Sequence, residues 1–285
     1  MDFIGDDSQR DQENGAPSRP ERVKNEVVRW MAAGRETYRA GALDLAAEAF
    51  ANAIRLEPGP QTASLLWDQL GHVRWDQKRY DEAVEAFRES ILYNGAFPGP
   101  WHDIAQIRME LGDAAAAIEP MREAIRRNPA RAKYWNTLGV AQSRIGQLEQ
   151  AVVSLRRHLE LDAGSAAGWL DLGLAYRKQG LYVEERYACE KALEINPSNV
   201  SAWLALGANR TAAGDDAGAL LAFRKAAELD PREGFAWYNL TLVEASAGKL
   251  EEARQAYAKL EALDLKSANE LFEFFLTQGT DLRKL

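Results

Sequence analysis

The residues best equipped for chemistry are few, and the histidines come first. Three occur in 285 residues. Asp68 and His72 stand four apart, so a helix would carry both on one face, and His102 follows later in the chain. Two imidazoles and a carboxylate are a ligand set for zinc or iron. No closely spaced pair of ligands supports a built site, so all three read as ordinary polar residues, with no metal and no cofactor expected. His158 reads as a packed, hydrogen-bonded structural residue. The lone Cys189 cannot form an internal disulfide and suits a reducing compartment. The glycines are evenly spaced rather than clustered ahead of a helix, which excludes a phosphate-cradling loop. A Gly-x-Ser-x-Gly elbow, a paired Cys motif and a His-Glu-x-x-His motif are all missing. Catalysis by this chain alone is not expected.

Composition narrows the class further. The chain is 46% apolar and 27% charged, as a globular protein is, and its net charge is −8. That balance argues against nucleic acid and against anionic membrane surfaces as partners. The N-terminus, MDFIGDDSQRDQENG, is acidic and lacks the apolar stretch of a signal peptide, and no run is apolar enough to span a bilayer. A cytoplasmic protein is expected. Residues 1–19 have almost nothing to bury apart from Phe3 and Ile4 and are expected to be a disordered acidic and polar tail. Pro20 can open a helix.

What must position any functional side chain is a repeat. Residues 200–233 read VSAWLALGANRTAAGDDAGALLAFRKAAELDPRE, with apolar residues at helical spacing on both sides of Gly214-Asp215. Two short amphipathic helices joined by a turn are therefore expected. The same pattern recurs along the chain. Position 4 is Trp30, Trp67, Trp101, Trp135, Trp169, Trp203 and Trp237, seven of the eight tryptophans. Position 8 is Gly34, Gly71, Ala105, Gly139, Gly173, Gly207 and Thr241; position 15 is Gly41, Lys78, Gly112, Gly146, Gly180, Gly214 and Gly248. Position 20 is alanine throughout, except for Glu185.

These residues and their spacing resemble the tetratricopeptide repeat, whose period is about 34 residues. The resemblance covers Val27 to Ser267. It implies an all-α, right-handed α-solenoid of seven repeats: 27–60, 64–97, 98–131, 132–165, 166–199, 200–233 and 234–267. An insertion near Gln61 to Ala63 breaks the spacing once. Each hairpin leaves an apolar stripe that only its neighbours can cover, so stability accumulates along the array. Asn128-Pro129, Asn196-Pro197 and Asp230-Pro231 look like a cap followed by proline at the first position of the next helix. Ala268 to Gln278 reads as a first helix without its partner, a cap ended by Gly279, with Leu271, Phe274 and Phe275 covering the last repeat; residues 268–285 form this capping helix and its tail. Pro120 should kink the second helix of the third repeat. Gly95, Pro98, Gly99 and Pro100 mark the most flexible junction. Buried, Glu185 would need Arg210 or the Tyr176 hydroxyl as partner; a locally splayed hairpin is the simpler expectation.

In this family the first helices line a concave groove through positions 2, 5, 9, 12 and 13. Positions 5 and 9 are largely polar in the first four repeats: Met31 and Arg35, Asp68 and His72, His102 and Gln106, Asn136 and Val140. They then become apolar: Leu170 and Leu174, Leu204 and Ala208, Tyr238 and Leu242, and Phe272 and Leu276 in the cap. Phe235 at position 2 joins them, and Arg177 and Lys178 flank the changeover. Large apolar groups at exposed positions mark a binding site. The resemblance thus implies a non-catalytic interaction scaffold that takes a protein or peptide segment in the apolar C-terminal half of the groove. A homodimer through the same stripe and a substrate-recruiting subunit of an enzyme assembly are the competing readings. An RNA-binding helical repeat is disfavoured by the acidic balance. The Lys/Asn carboxylate clamp of chaperone-binding members has no match: the first three repeats place Met31, Arg35, Gln69, Gly99 and Asp103 at its positions.

Overall fold

The computed structural model describes residues 18–278, and the expectations for the N-terminal tail through residue 17 and for Gly279 onward lie outside them. The described residues form fifteen α-helices and no strand. They are α1 (Arg19–Arg39), α2 (Leu43–Arg55), α3 (Pro60–Asp76), α4 (Tyr80–Tyr93), α5 (Gly99–Glu110), α6 (Ala114–Arg127), α7 (Ala132–Arg144) and α8 (Leu148–Leu161). The order continues with α9 (Ala166–Lys178), α10 (Tyr182–Ile195), α11 (Val200–Ala212), α12 (Asp216–Leu229), α13 (Gly234–Ser246), α14 (Leu250–Leu263) and α15 (Leu265–Thr277). Successive helices pack as hairpins stacked side by side in an all-α solenoid. The chain divides into two compact units, one up to Ala141 and one from Gln142.

Two recurring residues explain the hairpin. The turn after each first helix needs a left-handed residue, and Gly41, Gly112, Gly146, Gly180, Gly214 and Gly248 supply it with φ between 74° and 80°. Lys78 occupies the equivalent place at φ 62° without a glycine's freedom. Position 8 makes room for a ring. A Cβ on Gly34, Gly71 or Gly207 would fall 2.7, 2.7 or 2.6 Å from Phe50, Phe87 or Phe223, each a fully buried side chain of the partner helix. Around those rings lie the cores: Ala46, Phe50 and Leu66 early in the chain, and Ala219, Phe223 and Leu240 later.

Several expectations need correcting. The insertion at Gln61 to Ala63 is helical: α3 begins at Pro60 and runs 17 residues, against 13 in α7, α9, α11 and α13. The Asn-Pro and Asp-Pro pairs do not start helices. Asn128, Asn196 and Asp230 close α6, α10 and α12, and the side chains of Asn196 and Asp230 accept the backbone N–H two residues on. The N-caps come later, at Ser165 and Asn199, whose side chains accept from Gly168 and Ala202. The prolines instead offer carbonyls. The indoles of Trp135, Trp203 and Trp237 donate to the carbonyls of Pro129, Pro197 and Pro231, and Trp169 donates to that of Ala163. Trp67 and Trp101 do not join the series; at Trp101, Arg127 Nε donates to the Gly95 carbonyl in its stead, with the guanidinium 4.9 Å above the indole ring. Pro120 lies, as expected, inside α6 (Ala114–Arg127), the second helix of its repeat. The terminal helix α15 starts earlier than expected, capped by Asp264, and Leu271 and Phe275 bury against Tyr257 and Leu260. Phe274 does not bury with them: it is 51% exposed, at the margin of that face with its ring 5.3 Å from that of Phe275.

Candidate functional site

The unit beginning at Gln142 carries the apolar positions. Its first helices follow one another, α11 touching α13 and α13 touching α15. Leu170 packs beside the Cys189–Leu206 core, Leu204 beside the Phe223 core, and Tyr238, Leu242 and Phe272 beside the Tyr257–Leu271 core. All five are half-buried. Leu174, Phe235 and Leu276 project further, at 43%, 50% and 45% exposure. The first helices of this unit thus carry five half-buried apolar side chains and three that project further. The flanking cations already have company. Arg177 lies 3.7 Å from the Glu185 carboxylate, and Lys178 donates to the Ser143 carbonyl at 2.9 Å.

The earlier unit holds a polar cluster. His72 Nε2 is 3.9 Å from Asp68 Oδ2 and 3.5 Å from Asp103 Oδ2. His102 Nδ1 is 3.0 Å from the other oxygen of Asp103. Asp68 and His102, expected as ordinary polar residues, are both 5% exposed. Burial pushes the Asp68 carboxyl up to about 6, opposed by the charge of His72 and aided by that of Asp103. Burial, and after it Asp103, also raises the Tyr134 hydroxyl. His72 lies parallel to Trp75 and meets Phe87 edge-on, which fixes its ring. Asp103 is the member that the sequence did not single out. It follows His102 by one residue, and only the packing of α3 against the next repeat's first helix brings it to His72.

The family model described as tetratricopeptide repeat matches residues 31–99, 102–166 and 137–200, more than half of the chain. The chain belongs to the tetratricopeptide-repeat family. Solved structures agree on the fold. A tetratricopeptide repeat protein from Parabacteroides merdae superposes with a TM-score of 0.67 at 16% identity, over 87% of this chain and 98% of that one. MamA from Desulfovibrio magneticus gives 0.57 at 20% identity, over 60% and 97%. The Cut9–Hcn1 hetero-tetramer of APC/C gives 0.59 at 19% identity, over 76% and 42%. No curated protein is significantly similar in sequence.

As a tetratricopeptide-repeat protein the chain departs from its own pattern chiefly at Glu185. The hairpin there is closed, not splayed: the Glu185 carbonyl comes within 3.5 Å of where a Gly173 Cβ would stand, and the residue is 0% exposed. Neither anticipated partner reaches it. Asn209 of the next repeat donates to Glu185 Oε2 and to the Tyr182 carbonyl, both at 2.8 Å. Arg210 instead lies 3.9 Å from Asp215, and the Tyr176 hydroxyl accepts from Arg156. Burial, with the Glu185 charge second, pushes the Cys189 thiol up to about 12, so this cysteine is a packing residue rather than a nucleophile. His158 is likewise a core residue, its ring filling the space that a Gly168 side chain would need. Among the described residues no helix is long and apolar enough to cross a membrane.

Proposed function

We propose that the protein is a non-catalytic interaction scaffold, and that the first-helix face of its C-terminal repeats receives a protein or peptide segment. The observation that carries this reading is the set of large apolar side chains, Leu174, Phe235 and Leu276, left exposed on the helices that also carry the half-buried Leu170, Leu204, Tyr238, Leu242 and Phe272. A globular surface gives up solubility to keep such groups uncovered unless a partner covers them. The ligand would be an amphipathic helix or an extended segment presenting apolar side chains to Leu170, Leu204, Tyr238, Leu242 and Phe272. An acidic group on it would compete with Glu185 for Arg177. Lys178 would contribute only by releasing the Ser143 carbonyl.

The half-buried residues hold up neighbouring repeats, so the test uses those that project. A peptide library is selected on the wild-type chain, and the enriched sequences are measured against a Leu174→Glu, Phe235→Glu, Leu276→Glu variant of unchanged helicity. Apolar sequences that lose at least about tenfold in affinity support the reading. Binding that survives the triple change, or falls equally with Gln106→Ala and Asn136→Ala, sinks it. If light scattering shows that the triple change only converts a dimer to a monomer, the face is a self-association surface and not a receptor.

A further inference from the structure

We propose that Asp68, His72 and Asp103 form a binding site for a divalent transition-metal ion of the zinc type. One donor atom from each lies within 4.8 Å of the other two. Ligands held about 2.0–2.2 Å from a four-coordinate zinc stand about 3.3–3.6 Å from one another. His72 Nε2 is already 3.5 Å from Asp103 and 3.9 Å from Asp68, so small side-chain rotations complete the geometry.

Charge and burial argue for a cation there. Two carboxylates converge, and among the described residues their ion-pair partners are the imidazoles of His72 and His102 alone, with no lysine or arginine. The Asp68 side chain is 7% exposed; Gln69 stabilises its carboxylate through a side-chain hydrogen bond, but Oδ1 is buried without a donor of its own. A buried carboxylate oxygen normally has a donor or a cation beside it. The surroundings also hold the ligands in place. Trp75 and Phe87 orient the His72 ring, and His102 Nδ1 grips the Asp103 oxygen that faces away from His72, as an outer-shell imidazole does for a ligating carboxylate. One imidazole with two carboxylates suits zinc, cobalt or manganese better than calcium or magnesium, which take oxygen alone. The His72 side chain is 34% exposed, which gives the ion an entry path and leaves further coordination positions to water.

The untagged full chain, stripped with chelator, is titrated with zinc and with cobalt against a chromophoric competitor. One equivalent should bind. Affinity should fall by at least about tenfold in Asp68→Asn and in His72→Gln, and by a smaller factor in His102→Gln, while His158→Gln should leave it unchanged. X-ray absorption of the wild-type zinc complex should show one imidazole in an otherwise oxygen shell, a result that stands even if a variant fails to fold. No uptake by the wild type overturns the site. So does uptake indifferent to His72→Gln, a shell with sulfur or several imidazoles, or equal binding of magnesium.

Discussion

Glu185 replaces the alanine that the other repeats use at the tightest point of the hairpin, and it stays inside. A lone buried carboxylate is costly, and here it is held by the Asn209 amide with Arg177 at a longer distance. Removing the amide while leaving the carboxylate should cost more than removing both. Asn209→Ala is expected to destabilise the protein by about 2–3 kcal/mol in urea unfolding, since a hydrogen bond to a charged group is lost and the charge remains. Glu185→Ala combined with Asn209→Ala should recover most of that loss. If the double variant is as unstable as the single one, Asn209 acts through its bond to the Tyr182 carbonyl and not through Glu185. The sequence exposed Glu185 as the odd member of its column, but not its partner. Asn209 lies on the next repeat, at a distance that only stacking closes.

The hairpin as an element rests on the glycine at position 8 and the ring at position 24, and the repeats differ in what fills the second place. Opposite Gly207 stands Phe223; opposite Gly173 stand Ala188 and Cys189, at 3.4 and 3.5 Å from a built Cβ. Alanine should therefore behave oppositely at the two glycines. Gly207→Ala drives a methyl to 2.6 Å from a buried ring and should cost about 1–3 kcal/mol. Gly173→Ala meets ordinary contact distances and gains helix propensity, so it should be neutral or stabilise by up to about 1 kcal/mol. Thermal unfolding of both variants checks the pair, and equal penalties would mean that the ring is not what reserves the space. The spacing of tryptophan, glycine and alanine made these hairpins legible, because an invariant tryptophan column beside nearly constant glycine and alanine columns leaves one packing. The helix ends were less legible. Asn196-Pro197 satisfies the rule for a helix start as well as it does a helix stop followed by a turn, and only the register of Asn199 decides.

At the scale of the molecule, the last described hairpin, α13 and α14, is covered on its C-terminal side by α15. Leu271 and Phe275 of that helix are buried on Tyr257 and Leu260 of α14. Truncation before Leu265 should expose this apolar face and fray the end first, with hydrogen exchange speeding across α13 and α14 before α9 and α10. Uniform protection after truncation would show that the cap adds nothing. The apolar character of the later first helices follows from the change of residue type at positions 5 and 9. The depth to which those side chains are buried does not, since that depends on how closely adjacent helices approach. The Asp68 cluster was half legible: two of its residues share a helix, and the third joins by stacking alone. The tryptophans carry a further consequence. Trp135, Trp169, Trp203 and Trp237 each tether an indole N–H to the carbonyl of the residue six positions earlier, at the seam between one hairpin and the next. Trp67 and Trp101 lack that tether; at Trp101, Arg127 donates to the carbonyl instead. Of the eight tryptophans, the four tethered ones would give fluorine labelling an internal ruler, one resonance for each tethered seam, on which the opening of a single joint could be timed apart from the rest.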